Sequence, residues 1–327
     1  MRVGMISAAH VHAASYASIL KEEGRFEFVG VWDDDPERGK SFSKEYDVLF
    51  FNNIGDLLKN VDVVIITSEN SKHLQHLKMV IGNVKGVLCE KPLAPTIDDA
   101  REMVELAKSY GVKLGVAFPV RFHPVSKRVK EIFESEELGS ILVITSSNRG
   151  QLPPGWFTDP DLAGGGAIMD HVVHLVDLFR WFTKKEFKEV LTFRGRNIHP
   201  ELDVEDCAIL RLDLSGIPMT LDCSWAMPKS HPYWGEVVFR VVFEKGIVEA
   251  DVFSQNLIFE SNEGSEIEWI NYGENADREM LLAFSDWVEG KEVEFPTGED
   301  GLRATEVVER AYESLERGRG VRINEEG

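Results

Sequence analysis

The first third of the chain alternates short apolar runs with amphipathic stretches, and this alternation limits the possible folds more than any other feature. Residues 2–7, 26–32, 61–67, 84–89 and 112–118 read as strands. The segments between them, 13–23, 36–46, 73–81 and 96–110, carry helical periodicity. Successive strands separated by helices need crossover connections, so they run parallel and take helices on both faces. The expectation is a doubly wound α/β sheet of five parallel strands.

The pattern changes at residues 119–124. A helix over 124–133 leads into a strand over 140–148, and a Gly/Pro-rich stretch, 150–166, precedes a second helix over 167–182. Between 189 and 259, strands such as 208–214, 218–224, 236–243 and 246–251 follow one another across polar turns, which favours an antiparallel sheet. The last helix, 302–317, sets Val308, Ala311, Tyr312 and Leu315 at i, i+3, i+4 and i+7. A length of 327 residues suits two domains. The expected division is residues 1–120 and 121–327, the second domain being α+β.

In open α/β sheets ligands bind beyond the carboxyl ends of the strands, and three features gather there. The first is Glu90-Lys91-Pro92, where an apolar strand stops at a lysine. Proline restricts the residue before it to extended geometry, which fixes where Lys91 points. A solvated strand-end lysine, an acid/base and a phosphate contact all fit. The second is the turn Ser7-Ala8-Ala9-His10-Val11-His12, which lacks the three glycines of a dinucleotide loop but keeps small residues at Ser7 and Ala9. The third is Asp33, which ends the second strand where an acid accepts the ribose hydroxyls of NAD. Asp34 and Asp35 follow, with no arginine immediately after Asp33 to receive a 2′-phosphate, so NAD is preferred over NADP. A turn acid capping the next helix is the other reading of Asp33. His10 and His12 have no acid or cysteine near them in sequence, so a place beside the cofactor is favoured over a metal site.

A fourth signal lies in the second half. At about 100° per residue, Asp170, His174 and Asp177 share a narrow arc of an otherwise apolar helix. Such a helix is buried, and charges on it need partners. A structural network and a catalytic pair, with Asp170 orienting the His174 imidazole, both satisfy that demand. His171 points elsewhere on the helix. Gly164, Gly165 and Gly166 allow close approach of a ligand or of another backbone.

A net charge of −20 excludes nucleic acid and anionic membrane surfaces as partners, since both need clustered Lys and Arg. No apolar run is read as a membrane span, and no signal peptide is read at the start. Cys89, Cys207 and Cys223 are scattered without zinc spacing and suit free thiols in a reducing cytoplasm.

In this order these features resemble the Gfo/Idh/MocA family, the glucose–fructose oxidoreductase and inositol dehydrogenase group. The resemblance runs the length of the chain and rests on Val31 to Pro36, the segment 61–73, Glu90-Lys91-Pro92, Arg121-Phe122-His123-Pro124, the segment 164–177 and the final helix. It implies an amino-terminal Rossmann domain and a carboxy-terminal domain whose large open sheet builds a homodimer or homotetramer. It also implies NAD(P)-dependent oxidation or reduction of a sugar, polyol or related hydroxyl compound. Lys91, Asp170 and His174 take the catalytic positions. Ser68, Asn70, His73 and Glu90 lie along the cofactor, and Arg121 approaches the nicotinamide and substrate. His174 would act as general base with Asp170 setting its tautomer, while Lys91 steadies the oxygen or itself carries the proton. Trp156, Trp225 and Trp234 are candidates for stacking on a sugar ring. Two departures stand out, the Ser7, Ala9 and His12 replacements in the glycine loop and Glu69 where many relatives have proline. A non-catalytic NAD-binding sensor on the same fold is the rival reading. An amino-acid or imine reductase is a second rival, disfavoured because no cluster of carboxylate-binding cations is evident.

Overall fold

The structure, a computed structural model, describes residues 1–231, 233–254, 256–259, 268–271, 273 and 275–323. The chain divides into two compact units. The first comprises 1–119, 155–165 and 277–309, and the second 120–154, 166–276 and 310–327. The return of 155–165 and 277–309 to the first unit departs from the expected division at 120/121, because chain continuity does not dictate where a segment packs.

In the first unit, six strands and five helices alternate. They are β1 (Arg2–Ile6), α1 (His12–Glu22), β2 (Glu27–Trp32), α2 (Pro36–Glu45), β3 (Leu49–Phe50), α3 (Ile54–Leu58), β4 (Val63–Ile66), α4 (His73–Val80), β5 (Gly86–Cys89), α5 (Ile97–Tyr110) and β6 (Lys113–Val116). All pairings are parallel, in the order β3-β2-β1-β4-β5-β6. This is the dinucleotide-binding order, whose switch point lies between β1 and β4. Every residue of β4 and β5 is buried, which is why these strands read as unbroken apolar runs. The sheet has six strands where five were expected, since β3 is too short to leave a periodic signature. α5 shows why such helices form where they do. Thr96 caps it by accepting from Asp99 N–H, Asp98 and Asp99 meet the positive end of its dipole, and Gly111 at φ 64° ends it.

Beyond β6 come α6 (Pro124–Ser135), β7 (Ile141–Gly150), α7 (Pro160–Ala163, in the first unit), α8 (Ala167–Thr183), β8 (Phe187–Arg194), β9 (Cys207–Leu214), β10 (Ile217–Ser224), β11 (Gly235–Phe243) and β12 (Gly246–Asp251). The pair β13 (Asn256–Phe259) and β14 (Glu268–Asn271) follows, then α9 (Ala276–Val288), α10 (Gly298–Arg317) and β15 (Val321–Arg322). A seven-stranded sheet runs β12-β11-β7-β10-β9-β8-β15, antiparallel except for the β7/β10 pair. Its inner face packs on α8, so strands such as β9 and β10 alternate buried and more exposed positions. On the other face Phe193 pairs with Ile209 at 59% and 56% exposure.

The segment Pro160–Thr183 does have the length and apolarity of a membrane span, contrary to the sequence reading, but 72% of its 18-residue apolar window is buried inside the fold. Most of it is α8, a core helix.

Candidate functional site

In the first unit the strand-end residues form one connected cradle. Ser7, just past β1, adopts φ 67°, the left-handed conformation that the missing glycine would take without strain. Its N–H donates to Trp32 O, its carbonyl accepts from Thr67 Oγ1 at 2.7 Å, and its Oγ accepts from Ala9 N–H. These bonds hold the strained residue in place. The turn is therefore intact in shape although its sequence fingerprint is gone. Val11 precedes α1 without a side-chain cap, so the loop opens on the N-terminus of an 11-residue helix, where backbone donors and dipole favour an anion.

Asp33 lies beside this loop with a fully buried side chain. Its Oδ2 accepts from Ala8 N–H at 2.8 Å and its Oδ1 from Asp35 N–H at 2.9 Å. Asp35, not Asp33, caps α2 by accepting from Glu37 and Arg38 N–H. The two readings of this acidic run thus belong to different residues. Capping by Asp35 also brings Arg38 back to the strand end, where Nε and Nη2 grip the two oxygens of Asp33 at 2.9 and 2.7 Å. An arginine therefore does serve the β2 acid, five residues along rather than next to it. The helical turn that returns it was the signal.

Glu90 is buried at the end of β5 and is the hub of a second cluster. Tyr16 Oη donates to it at 2.6 Å, His12 Nδ1 stands 3.0 Å away, His10 Nε2 3.7 Å away, and Lys91 N–H donates at 3.1 Å. Burial alone would raise the Glu90 pKa, but the two imidazoles and the Tyr16 hydroxyl hold it well below the usual carboxylate range. Burial works against a charged His12, yet Glu90 outweighs it and the His12 pKa is raised. His10, His12 and Glu90 are close enough together for a metal ion. However, His10 Nδ1 accepts from His12 N–H at 3.2 Å, which places the ring proton on Nε2 and removes that lone pair from ligation. His10 and His12 therefore read as imidazoles flanking Glu90, with Tyr16 Oη and Lys91 N–H as its donors.

Lys91 itself is buried at 4% exposure, and the Lys91–Pro92 peptide bond is cis. His73 buttresses the same turn, with Nδ1 3.1 Å from both Pro92 O and Leu93 O and Nε2 3.2 Å from Ser68 O. Burial lowers its pKa, and the imidazole braces the turn after β5 against the loop after β4. Asn70 Nδ2 donates to Ala163 O, and Trp156 Nε1 donates to Ala9 O at 3.0 Å while its ring stacks on Phe157. Trp156 is thus tied to the loop after β1. Ser68 Oγ and Asn70 Oδ1 are buried without a hydrogen-bond partner among the described residues. Buried polar atoms of this kind call for a ligand. Together with Asp33 and the helix N-terminus they fit a dinucleotide.

In the second unit α8 carries the polar stripe. Between residues 167 and 179, Asp170 and His174 alone keep partial exposure. Asp170 Oδ2 accepts from Trp225 Nε1 at 3.0 Å and lies 3.1 Å from His171 Nε2. His171, expected to point elsewhere, therefore shares the carboxylate. Trp225 is 1% exposed in a cluster with Ala167 and Val204, so it anchors Asp170 and offers no face to a sugar ring. Asp177 is buried and accepts from Arg121 Nε at 2.7 Å, with Arg121 Nη2 on its other oxygen. Arg121 also lies over the Trp181 ring. It is a partner of α8, a role the sequence did not reveal. At the start of α8, Glu205 Oε1 accepts from Gly166 N–H, Ile168 N–H and Tyr312 Oη. A Cβ on Gly166 would stand 1.9 Å from Glu205 O. Among the glycines before α8, Gly166 thus admits another backbone.

The comparisons agree with this geometry. A family profile described as "Oxidoreductase family, NAD-binding Rossmann fold" matches residues 1–118, and the Gfo/Idh/MocA C-terminal domain matches 126–249. The chain belongs to the Gfo/Idh/MocA family. It is 28% identical over 331 residues to an inositol 2-dehydrogenase of Acidothermus cellulolyticus, covering 96% of this chain and 92% of that one. It is 27% identical over 348 residues to a D-glucoside 3-dehydrogenase of Escherichia coli, covering 99% and 97%. The solved myo-inositol dehydrogenase of Lactobacillus casei, in complex with NAD(H) and myo-inositol, superposes with a TM-score of 0.82 at 20% identity, covering 100% and 98%. The chain is an oxidoreductase with an NAD-binding Rossmann fold, and the catalytic reading is favoured over a sensor that has lost its chemistry.

Proposed function

We propose that the protein catalyses reversible hydride transfer between C4 of nicotinamide and the carbinol or carbonyl carbon of a sugar, polyol or related compound, with NAD preferred over NADP. The observation that carries this reading is the accessible pair Asp170 and His174, four residues apart on a helix whose neighbouring positions are buried. Bound NAD would supply the hydride acceptor. Asp33, Ser68 and Asn70 would hold it, with the Ser7–His12 loop receiving its pyrophosphate. His174 takes the hydroxyl proton, Asp170 sets its tautomer, and Lys91 steadies the developing charge on oxygen. Trp225 and His171 keep Asp170 in place. Arg121 holds α8 through Asp177, which supports a positioning role over direct substrate contact. The preference for NAD is supported by Asp33, Asp34 and Glu69, which outnumber Arg38 and Lys72 in one network. The exposed apolar residues on the outer face of the seven-stranded sheet support a homodimer or homotetramer built through that sheet. The free thiols support a reducing, cytoplasmic setting.

The test is turnover on a polyol and sugar panel with NAD and with NADP. Lys91→Ala and His174→Ala should each lower kcat by about 10²–10⁴-fold while NAD binding persists. Near-normal turnover by both variants would end this reading.

A further inference from the structure

The carboxylate assigned to the adenosine ribose is already full. An ionised carboxylate offers about four lone-pair sites, and Asp33 uses them on Ala8 N–H, Asp35 N–H, Arg38 Nε and Arg38 Nη2. Ribose hydroxyls can reach it only if donors leave. The two backbone donors are fixed by the loop and by the start of α2. Arg38 is different, because it is a long side chain with 27% exposure.

Arg38 also has somewhere to go. Its Nη1 is 3.1 Å from Glu69 Oε1 and its Nη2 3.2 Å from Asp34 Oδ1. Lys72 Nζ bridges the same two acids, at 2.6 Å to Asp34 and 3.1 Å to Glu69. Glu69, the residue that departs from the common proline, thus provides a berth for the guanidinium one step out from Asp33. Resting on the NAD reading above, we propose that Arg38 is a displaceable plug that determines cofactor choice. It bridges Asp33, Glu69 and Asp34, and gives up its two bonds to Asp33 while keeping Glu69 and Asp34 when ribose hydroxyls arrive. A 2′-phosphate instead needs the guanidinium to face it, against three neighbouring carboxylates. Arg38 therefore opposes NAD binding and supplies what NADP binding the site has.

The two dinucleotides should respond to one change in opposite directions. In Arg38→Met, which keeps the apolar stem, the Kd for NAD should fall about 3–10-fold and that for NADP should rise about tenfold, the range expected for one or two charge-assisted hydrogen bonds. In Glu69→Gln, which weakens the berth, the Kd for NAD should rise about threefold. Calorimetry on the full chain reads all three proteins. If Arg38→Met leaves NAD affinity unchanged or weakens it while wild type binds NAD, the plug is wrong and the NAD site stands. Wild type that binds neither dinucleotide overturns both. Should Arg38→Met not fold, Glu69→Gln decides alone, and unchanged or tighter NAD binding there overturns the proposal.

Discussion

Two pairs of buried carboxylates, one pair in each unit, are neutralised in different ways. Asp33 and Glu90 sit at the ends of parallel strands, and part of what holds them is reachable from solvent, Arg38 at 27% and His12 at 31% side-chain exposure. Asp177 and Glu205 sit around α8, Asp177 held by Arg121 at 6% exposure and Glu205 by the buried N–H groups of Gly166 and Ile168 as well as by Tyr312 Oη. A carboxylate whose partner can move aside can exchange it for a ligand. A carboxylate matched by a buried partner is committed to the fold. Asp177 and Glu205 therefore shape the helix that presents the chemistry, while Asp33 and Glu90 shape the binding loop.

The contrast is most exposed to failure at Asp177. Replacing it by Ala strands a buried guanidinium, and chemical denaturation should register a loss of about 3–5 kcal/mol. A loss below about 1 kcal/mol, the range of an exposed ion pair, would erase the difference between the two units.

A smaller effect is expected at His12. Its pKa is raised above the usual 6.5 because Glu90 outweighs burial. A raised folded pKa adds stability that is complete below the unfolded value and is lost as pH rises through the folded one. Wild type should therefore lose stability relative to His12→Gln as pH climbs from about 6.5. Parallel stability curves for the two proteins across that range would show that His12 does not hold Glu90. Glu90 acts at the other end, because its depressed pKa gives stability that is lost on acidification below the usual carboxylate range.

The smallest effect belongs to Ser7→Gly. Relief of the left-handed conformation is worth about 1–2 kcal/mol, and loss of the Oγ bonds from Ala9 and Arg38 costs about as much. The melting temperature should move by only a few degrees. A large drop would mean that the hydroxyl, rather than the turn conformation, holds the cradle together.

Much of this molecule was legible in one dimension. The strand at 84–89, the helix at 167–182 and the alternation between them follow from periodicity, and Lys91, Asp33 and the Asp170/His174 pair follow from strand ends and helical spacing. α3 and β3 were missed because they are a turn or a dipeptide long. α9 was missed although Met280, Leu281 and Phe284 mark its buried face.

Sequence alone determined which residues stand at strand ends and which share a helix face, because those relations depend on backbone repeats a few residues long. Only the tertiary structure decided what each charge is for. Glu90 meets Tyr16 across 74 residues, Asp170 meets Trp225 across 55 and Asp177 meets Arg121 across 56. The cost of a buried charge is set by the donors that packing brings within about 3 Å, and no local pattern specifies which distant segment delivers them.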